Sequence, residues 1–196
     1  MKRPGMDKTS CKKNFLRTLS GDTIMLSVLP PPNMPHLIAL LLTLCCAISQ
    51  AATITGKVVA VADGDTITVL DAGNVQHKIR LGGIDAPEKA QPYGQTSKQS
   101  LSDLVYGKTV MVDTDKTDRY GREVGKVLVD GVDTNLEQVR RGLAWHYKAY
   151  QREQPPEDRL AYAAAEKDAA AAHLGLWQDA VPVAPWDWRH PAKAAP

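Results

Sequence analysis

The chain has 196 residues, 43% hydrophobic and 23% charged. That composition fits one domain or at most two, and it excludes wholesale disorder, a collagen-like repeat and a polytopic membrane protein. Residues 1–51 carry six Lys/Arg and two Asp/Glu, which leaves 18 basic and 20 acidic groups in residues 52–196 and excludes a general attraction of the body to polyanions.

Residues 37–48 (LIALLLTLCCAI) form an apolar run of twelve, short of the roughly 20 residues that cross a bilayer. Ser49-Gln50-Ala51 follows, with small residues at both positions that a signal peptidase reads. The pattern predicts a secretory segment cleaved near Ala51 and export of residues 52–196 to the periplasm or the exterior, with no stable membrane association afterwards. Pro30-Pro31-Pro32 breaks any helix ahead of the run, and Met1, Met25 and Met34 are all open as starts. An uncleaved anchor or a buried apolar segment is the alternative. Cys11, Cys45 and Cys46 all precede the cleavage point, so the remainder has neither disulfide nor thiolate chemistry. A domain of about 145 residues builds an adequate core without such staples.

In the body, residues 53–62 (TITGKVVAVA) are rich in β-branched side chains and predict a strand that ends at the Asp63-Gly64 turn. Residues 66–70 form a second strand, with Ile67 and Val69 on one face. In the third, Val75, His77, Ile79 and Leu81 alternate with Gln76, Lys78 and Arg80, which places Arg80 on the polar face. Residues 82–87 read as a loop. Leu101, Leu104 and Val105 mark a helix over residues 94–105, and strands are expected over 109–112 and 124–129. Thr134 and Glu137 form a capping-box pattern ahead of Leu136, Val139 and Leu143. Pro155-Pro156-Glu157-Asp158 opens a third helix through the Ala-rich run to Leu174, with Gly175 as its stop. The proline-rich tail from residue 181 is expected to be extended. This order predicts a mainly β protein with helices (α+β), a five-stranded OB-fold barrel with about three α-helices. The corresponding domains are an extension and signal segment over 1–51, the barrel domain over 52–178 and a Pro/Trp-containing tail over 179–196.

Three segments concentrate polar residues. In Asp63-Gly64-Asp65-Thr66, Asp65 shares strand parity with Ile67 and Val69, so its carboxylate needs a metal ion or an arginine as partner. Arg80 leads into Ile84-Asp85-Ala86-Pro87-Glu88, where two acids share a loop. That pair reads equally as a solvated turn and as a metal carboxylate with a general base. In Asp118-Arg119-Tyr120-Gly121-Arg122, Arg122 is either an exposed turn residue or, opposite Arg80, half of a phosphate clamp.

Taken in order, the DGDT turn, the Arg80 strand with its IDAPE loop, the DRYGR turn, the helix LEQVRRGLA and the closing LGLW resemble the staphylococcal nuclease (thermonuclease) family over roughly residues 53–177. The resemblance implies a five-stranded OB barrel with three helices that hydrolyses DNA and/or RNA, leaving 3′-phosphate ends. It implies Ca²⁺ as cofactor, with Mg²⁺ or Mn²⁺ as substitutes, held by Asp65, Asp85 and the carbonyl of Ala86. Thr often stands at the Ala86 position in the family; alanine keeps the carbonyl. Glu88 then matches the general base or water positioner, and Arg80 and Arg122 match the phosphate-binding arginines. A monomer is expected. The ligand chemistry agrees, since two carboxylates and a carbonyl suit a hard cation.

Among the remaining residues, Tyr120, Tyr147 and Tyr150 read as base-stacking or packing groups, and His146 as structural or a base in another scheme. Lys98, Arg140 and Arg141 read as backbone guides or solvated faces, and Trp177, Trp186 and Trp188 as packing anchors. The competing reading is a noncatalytic OB-type nucleic-acid-binding module. The retained acids and arginines and the net charge of the body argue against it.

Overall fold

A computed structural model describes residues 52–190. The apolar run, the cleavage point near Ala51 and the last six residues lie outside the described residues. Among the described residues no helix is long and apolar enough to cross a membrane.

The strands are β1 (Ala52–Val61), β2 (Thr66–Asp71), β3 (Gln76–Leu81), β4 (Ile84–Asp85), β5 (Thr109–Thr117), β6 (Glu123–Val129), β7 (Val132–Asp133) and β8 (Trp145–His146). The helices are α1 (Gly94–Val105), α2 (Thr134–Arg140), α3 (Pro156–Ala171) and the five-residue α4 (Pro185–Arg189); 3₁₀ turns cover Lys148–Glu153 and Gly175–Gln178. The main sheet runs β3-β2-β1-β5-β6-β7. β3 also pairs parallel with β6 through Ile79↔Glu123, Arg80↔Val124 and Leu81↔Gly125, which closes five strands into the expected barrel and removes its open edges.

Alternation along the strands fills the barrel. Ile67, Val69, Ile79, Leu81, Val110, Val112 and Val127 are all buried, and burying a side chain of this size contributes about 1.5–3 kcal/mol. Leu101 and Val105 of α1, Leu136 and Val139 of α2 and Tyr162 of α3 close the same core. Two buried amides of α2 pin it to the barrel. Asn135 donates to Gly82 O and Gly125 O, both at 3.0 Å, and accepts from Val127 N at 3.1 Å. Gln138 donates to Gly64 O and Ser97 O, both at 3.0 Å, and accepts from Ser100 Oγ at 2.7 Å.

Four local expectations change. Asp133, not Thr134, caps α2: its Oδ1 accepts from Leu136 N at 3.0 Å, because the Thr134 hydroxyl is buried and donates to Val127 O at 2.9 Å. α3 stops at Ala171, short of Leu174, because His173 turns to φ 52° and Leu174 N returns to Ala169 O at 3.0 Å. Gly175 then crosses Gly142 so closely that a Cβ would stand 2.2 Å from Gly142 O. The loop over 82–87 contains β4, which pairs with β8 through Ile84↔His146 and Asp85↔Trp145. The tail is not extended throughout, since it winds into α4.

Candidate active site

The β1–β2 turn sets the first acid. Asp63 Oδ1 accepts from Asp65 N at 3.1 Å. Gly64 is pressed between Ser97 of α1 and Ala86, so closely that a Cβ would meet Ser97 Oγ at 1.9 Å. Asp65 is thereby held inside the fold with its carboxylate satisfied: Thr66 Oγ1 donates to Oδ1 at 2.9 Å and Ala86 N to Oδ2 at 3.2 Å. The partner that strand parity demanded is Arg80. From β3, opposite Thr66, its Nη2 donates to Asp65 Oδ2 at 3.4 Å and to Asp85 Oδ1 at 2.9 Å.

Asp85 is only 1% exposed and is fixed by the β4–β8 pairing. Glu88 follows on a loop tied by Gln91, whose N donates to Glu88 O at 2.8 Å and whose Oε1 accepts from Glu88 N at 3.0 Å. The turn over 118–122 aims Arg122. Asp118 accepts from Tyr120 N, Arg122 N and Arg122 Nε. Arg122 Nη1 donates to Thr66 Oγ1 at 3.3 Å, so it reaches Asp65 through one hydroxyl. Five of the six predicted site residues are thus linked by hydrogen bonds. Asp65, Arg80, Asp85 and Ala86 are in direct contact, and Arg122 is joined through Thr66.

A further residue joins them. Arg189 of α4 donates from Nη2 to Asp85 Oδ2 and from Nη1 to Glu88 Oε1, each at 2.6 Å. No motif marks it. The flanking Trp186 and Trp188 were the one local sign that the tail docks, and only Trp186 does so. Trp186 stacks on Tyr147 at 5.4 Å and 10°, whereas Trp188 is exposed. Tyr147 in turn lies 5.8 Å beneath the Arg80 guanidinium. Trp177 packs edge-on against Trp145.

The electrostatics show crowded anions. Burial, then the charge of Asp65, pushes the Asp63 carboxyl up to about 6. Burial also raises Asp85, with Asp65 adding to it and Arg189 and Arg80 opposing. Burial works against the Arg80 charge, but Asp65 and Asp85 outweigh it and hold Arg80 above the ordinary arginine value. Around Asp118, burial is outweighed by the bonds from Arg122, and its carboxyl sits below the usual range.

The donor set at Asp65 and Asp85 is all oxygen and anionic, which suits a hard cation. Among the described residues no group of three or more His, Cys, Asp or Glu forms a ready cage, so such an ion would draw on backbone carbonyl and water as well. His146 stands apart from this chemistry. It is fully buried and bonded through Nε2 to Gln154 Oε1 at 2.8 Å. Arg140 and Arg141 pair with Glu137 on an exposed helix face.

The model of the family described as staphylococcal nuclease homologue matches residues 78–179. A Haemophilus influenzae protein described as an uncharacterized endonuclease is 45% identical over 139 residues, 71% of this chain and 75% of its own. An Escherichia coli O157:H7 protein of the same description is 46% identical over 140 residues, 71% of this chain and 87% of its own. A Shigella flexneri micrococcal nuclease is 36% identical over 167 residues, 81% of this chain and 93% of its own. With this barrel beneath the shared sequence, the chain belongs to the staphylococcal nuclease homologue family.

Proposed function

We propose that the chain is an exported, divalent-cation-dependent nuclease that hydrolyses phosphodiester bonds of DNA and/or RNA to 3′-phosphate ends, acting as a monomer. The observation that carries this reading is the single Arg80 Nη2 shared by two buried carboxylates, Asp65 and Asp85, at 3.4 and 2.9 Å. Two such anions on one donor are the makings of a cation and phosphate site, whereas a noncatalytic binding module needs neither. The nuclease names of the relatives point the same way.

Asp65, Asp85 and the Ala86 carbonyl would hold Ca²⁺, or Mg²⁺ or Mn²⁺ in its place, and the bound ion would supply Lewis-acid neutralisation of the phosphate. Arg80 and Arg122 present planar forks that fit the non-bridging oxygens bidentately. Both are aimed in advance, Arg80 by Asp65 and Asp85 and Arg122 by Asp118. A preorganised donor of this kind contributes about 2.7–4 kcal/mol to the barrier reduction. Glu88 is partly solvent-exposed and takes a proton from the attacking water. Residues 37–51 support export, which amino-terminal sequencing of the processed protein tests.

The functional test is digestion of plasmid, single-stranded DNA and RNA with Ca²⁺, Mg²⁺, Mn²⁺ or chelator. Chelator-sensitive cleavage is expected. Binding without cleavage under every cation would favour the binding module instead. Glu88→Gln should lower turnover by about 10²–10⁴ with nucleotide binding retained, and unchanged turnover would remove Glu88 from the chemistry. Asp65→Asn and Asp85→Asn should raise the Ca²⁺ requirement.

A further inference from the structure

Arg189 touches the two acids that the proposed chemistry most needs free. Its Nη2 lies 2.6 Å from Asp85 Oδ2, and its Nη1 lies 2.6 Å from Glu88 Oε1 and 3.4 Å from Asp85 Oδ1. Arg80 already occupies Asp85 Oδ1 at 2.9 Å. Both oxygens of a carboxylate with 1% exposure therefore rest on guanidinium N–H groups. Arg189 itself keeps 37% of its side chain in solvent, so it covers Asp85 from the open side.

The contact is built rather than incidental. Gln91 Nε2 donates to Val183 O at 2.7 Å, Ala184 and Pro185 are buried, and Trp186 stacks flat on Tyr147. These anchors deliver the guanidinium of position 189, which lies beyond the residues 78–179 that the family model matches.

We infer that Arg189 is a built-in counter-cation that competes with the divalent ion for Asp85 and shields Glu88 until the ion binds. The inference rests on the cation site proposed above. A divalent ion on Asp85 would meet the guanidinium at close range, and like charges repel most where solvent is scarce. Arg189 is held by its ion pairs and a flexible side chain, so it can swing into solvent while Trp186 stays seated. A paired Glu88 is a poor base, because the Oε1 that would take the proton is already occupied by an Arg189 N–H. The metal-free protein would therefore hold Asp85 and Glu88 paired until cation loading frees them together.

The test is calorimetric titration of Ca²⁺ into the full chain without nucleic acid, for wild type, Arg189→Gln, Arg189→Lys and Asp85→Asn. Arg189→Gln should bind Ca²⁺ about tenfold more tightly, equivalent to about 1.4 kcal/mol. Arg189→Lys keeps the charge without the fork and should fall between it and wild type. Equal or weaker binding by Arg189→Gln, with Asp85→Asn still impaired, would overturn the competition and leave the cation site standing. Wild-type Ca²⁺ affinity in Asp85→Asn would overturn the site itself, and the competition with it. Should Arg189→Gln fail to fold, Arg189→Lys alone decides: tighter binding than wild type supports the inference, and unchanged or weaker binding refutes it.

Discussion

Replacing Gly64 with alanine asks whether close backbone packing holds the acids in place. The new Cβ would stand 1.9 Å from Ser97 Oγ, 2.7 Å from Ala86 Cβ and 2.8 Å from Ser97 Cβ. Neither neighbour retreats freely. Ser97 Oγ donates to Leu143 O at 2.6 Å inside the core, and rotating it away abandons that bond. Ala86 moves only by stretching its 3.2 Å bond to Asp65 Oδ2. Overpacking of a close-packed site costs about 1–3 kcal/mol, and the lost Ser97 bond adds about 1 kcal/mol. The expected loss is therefore about 2–4 kcal/mol, read as a lower urea midpoint at unchanged slope. The Ca²⁺ requirement should also rise at temperatures where the variant is fully folded, because the same Cβ pushes Ala86 from Asp65. A stability loss under about 0.5 kcal/mol, within the range of ordinary surface substitutions, would refute the reasoning.

Two further predictions concern the barrel. Asn135→Ala removes a part-buried donation to Gly82 O, a buried donation to Gly125 O and a buried acceptance from Val127 N. It should cost about 2–4 kcal/mol in chemical denaturation, and a loss under about 1 kcal/mol would show that these groups find other partners. His77 sits between Asp71 at 2.9 Å and Glu123 at 3.2 Å, and hydrogen bonds to both raise its pKa above the ordinary 6.5. Because the folded value is the higher one, the stabilisation is complete below about 6.5 and fades as pH rises through the folded value. The stability gap between wild type and His77→Gln should thus be wider at pH about 5.5 than at about 8.5. A gap independent of pH would mean that the imidazole does not titrate in this pair.

What the sequence discloses follows from how locally each feature is determined. The alternation in residues 66–70 and 76–81 reads directly as β2 and β3, since Ile67, Val69, Ile79 and Leu81 fill the barrel. The parity of Asp65 with that row rightly demanded a partner, and Arg80 is the residue opposite Thr66. β4 was illegible because its two residues become a strand only by pairing with β8, some sixty residues on. The polar end of β5 carries no apolar alternation, yet Lys116 and Thr117 pair with Val124 and Glu123. The Thr134–Glu137 spacing suited a capping box, but a competing acceptor, Val127 O, took the hydroxyl. Arg189 reaches acids 104 and 101 residues away, and no periodicity reports a contact at that separation.

Charge explains why such a residue belongs there. Asp63, Asp65, Asp85 and Glu88 lie on one connected stretch of the site, while Arg122 directs Nε and Nη2 to Asp118. Arg80 and Arg189 are left to answer the acids directly. Burial first, and the neighbouring charge of Asp65 after it, push Asp63 and Asp85 up. Crowded anions weaken the metal-free fold, and for the same reason they attract a divalent cation, because binding relieves a repulsion already present. Without Arg189, Asp85 would keep one guanidinium for two buried oxygens and Glu88 would lose its partner. A guanidinium on a short tail helix lets the metal-free chain keep these acids together, on a side chain exposed enough to leave.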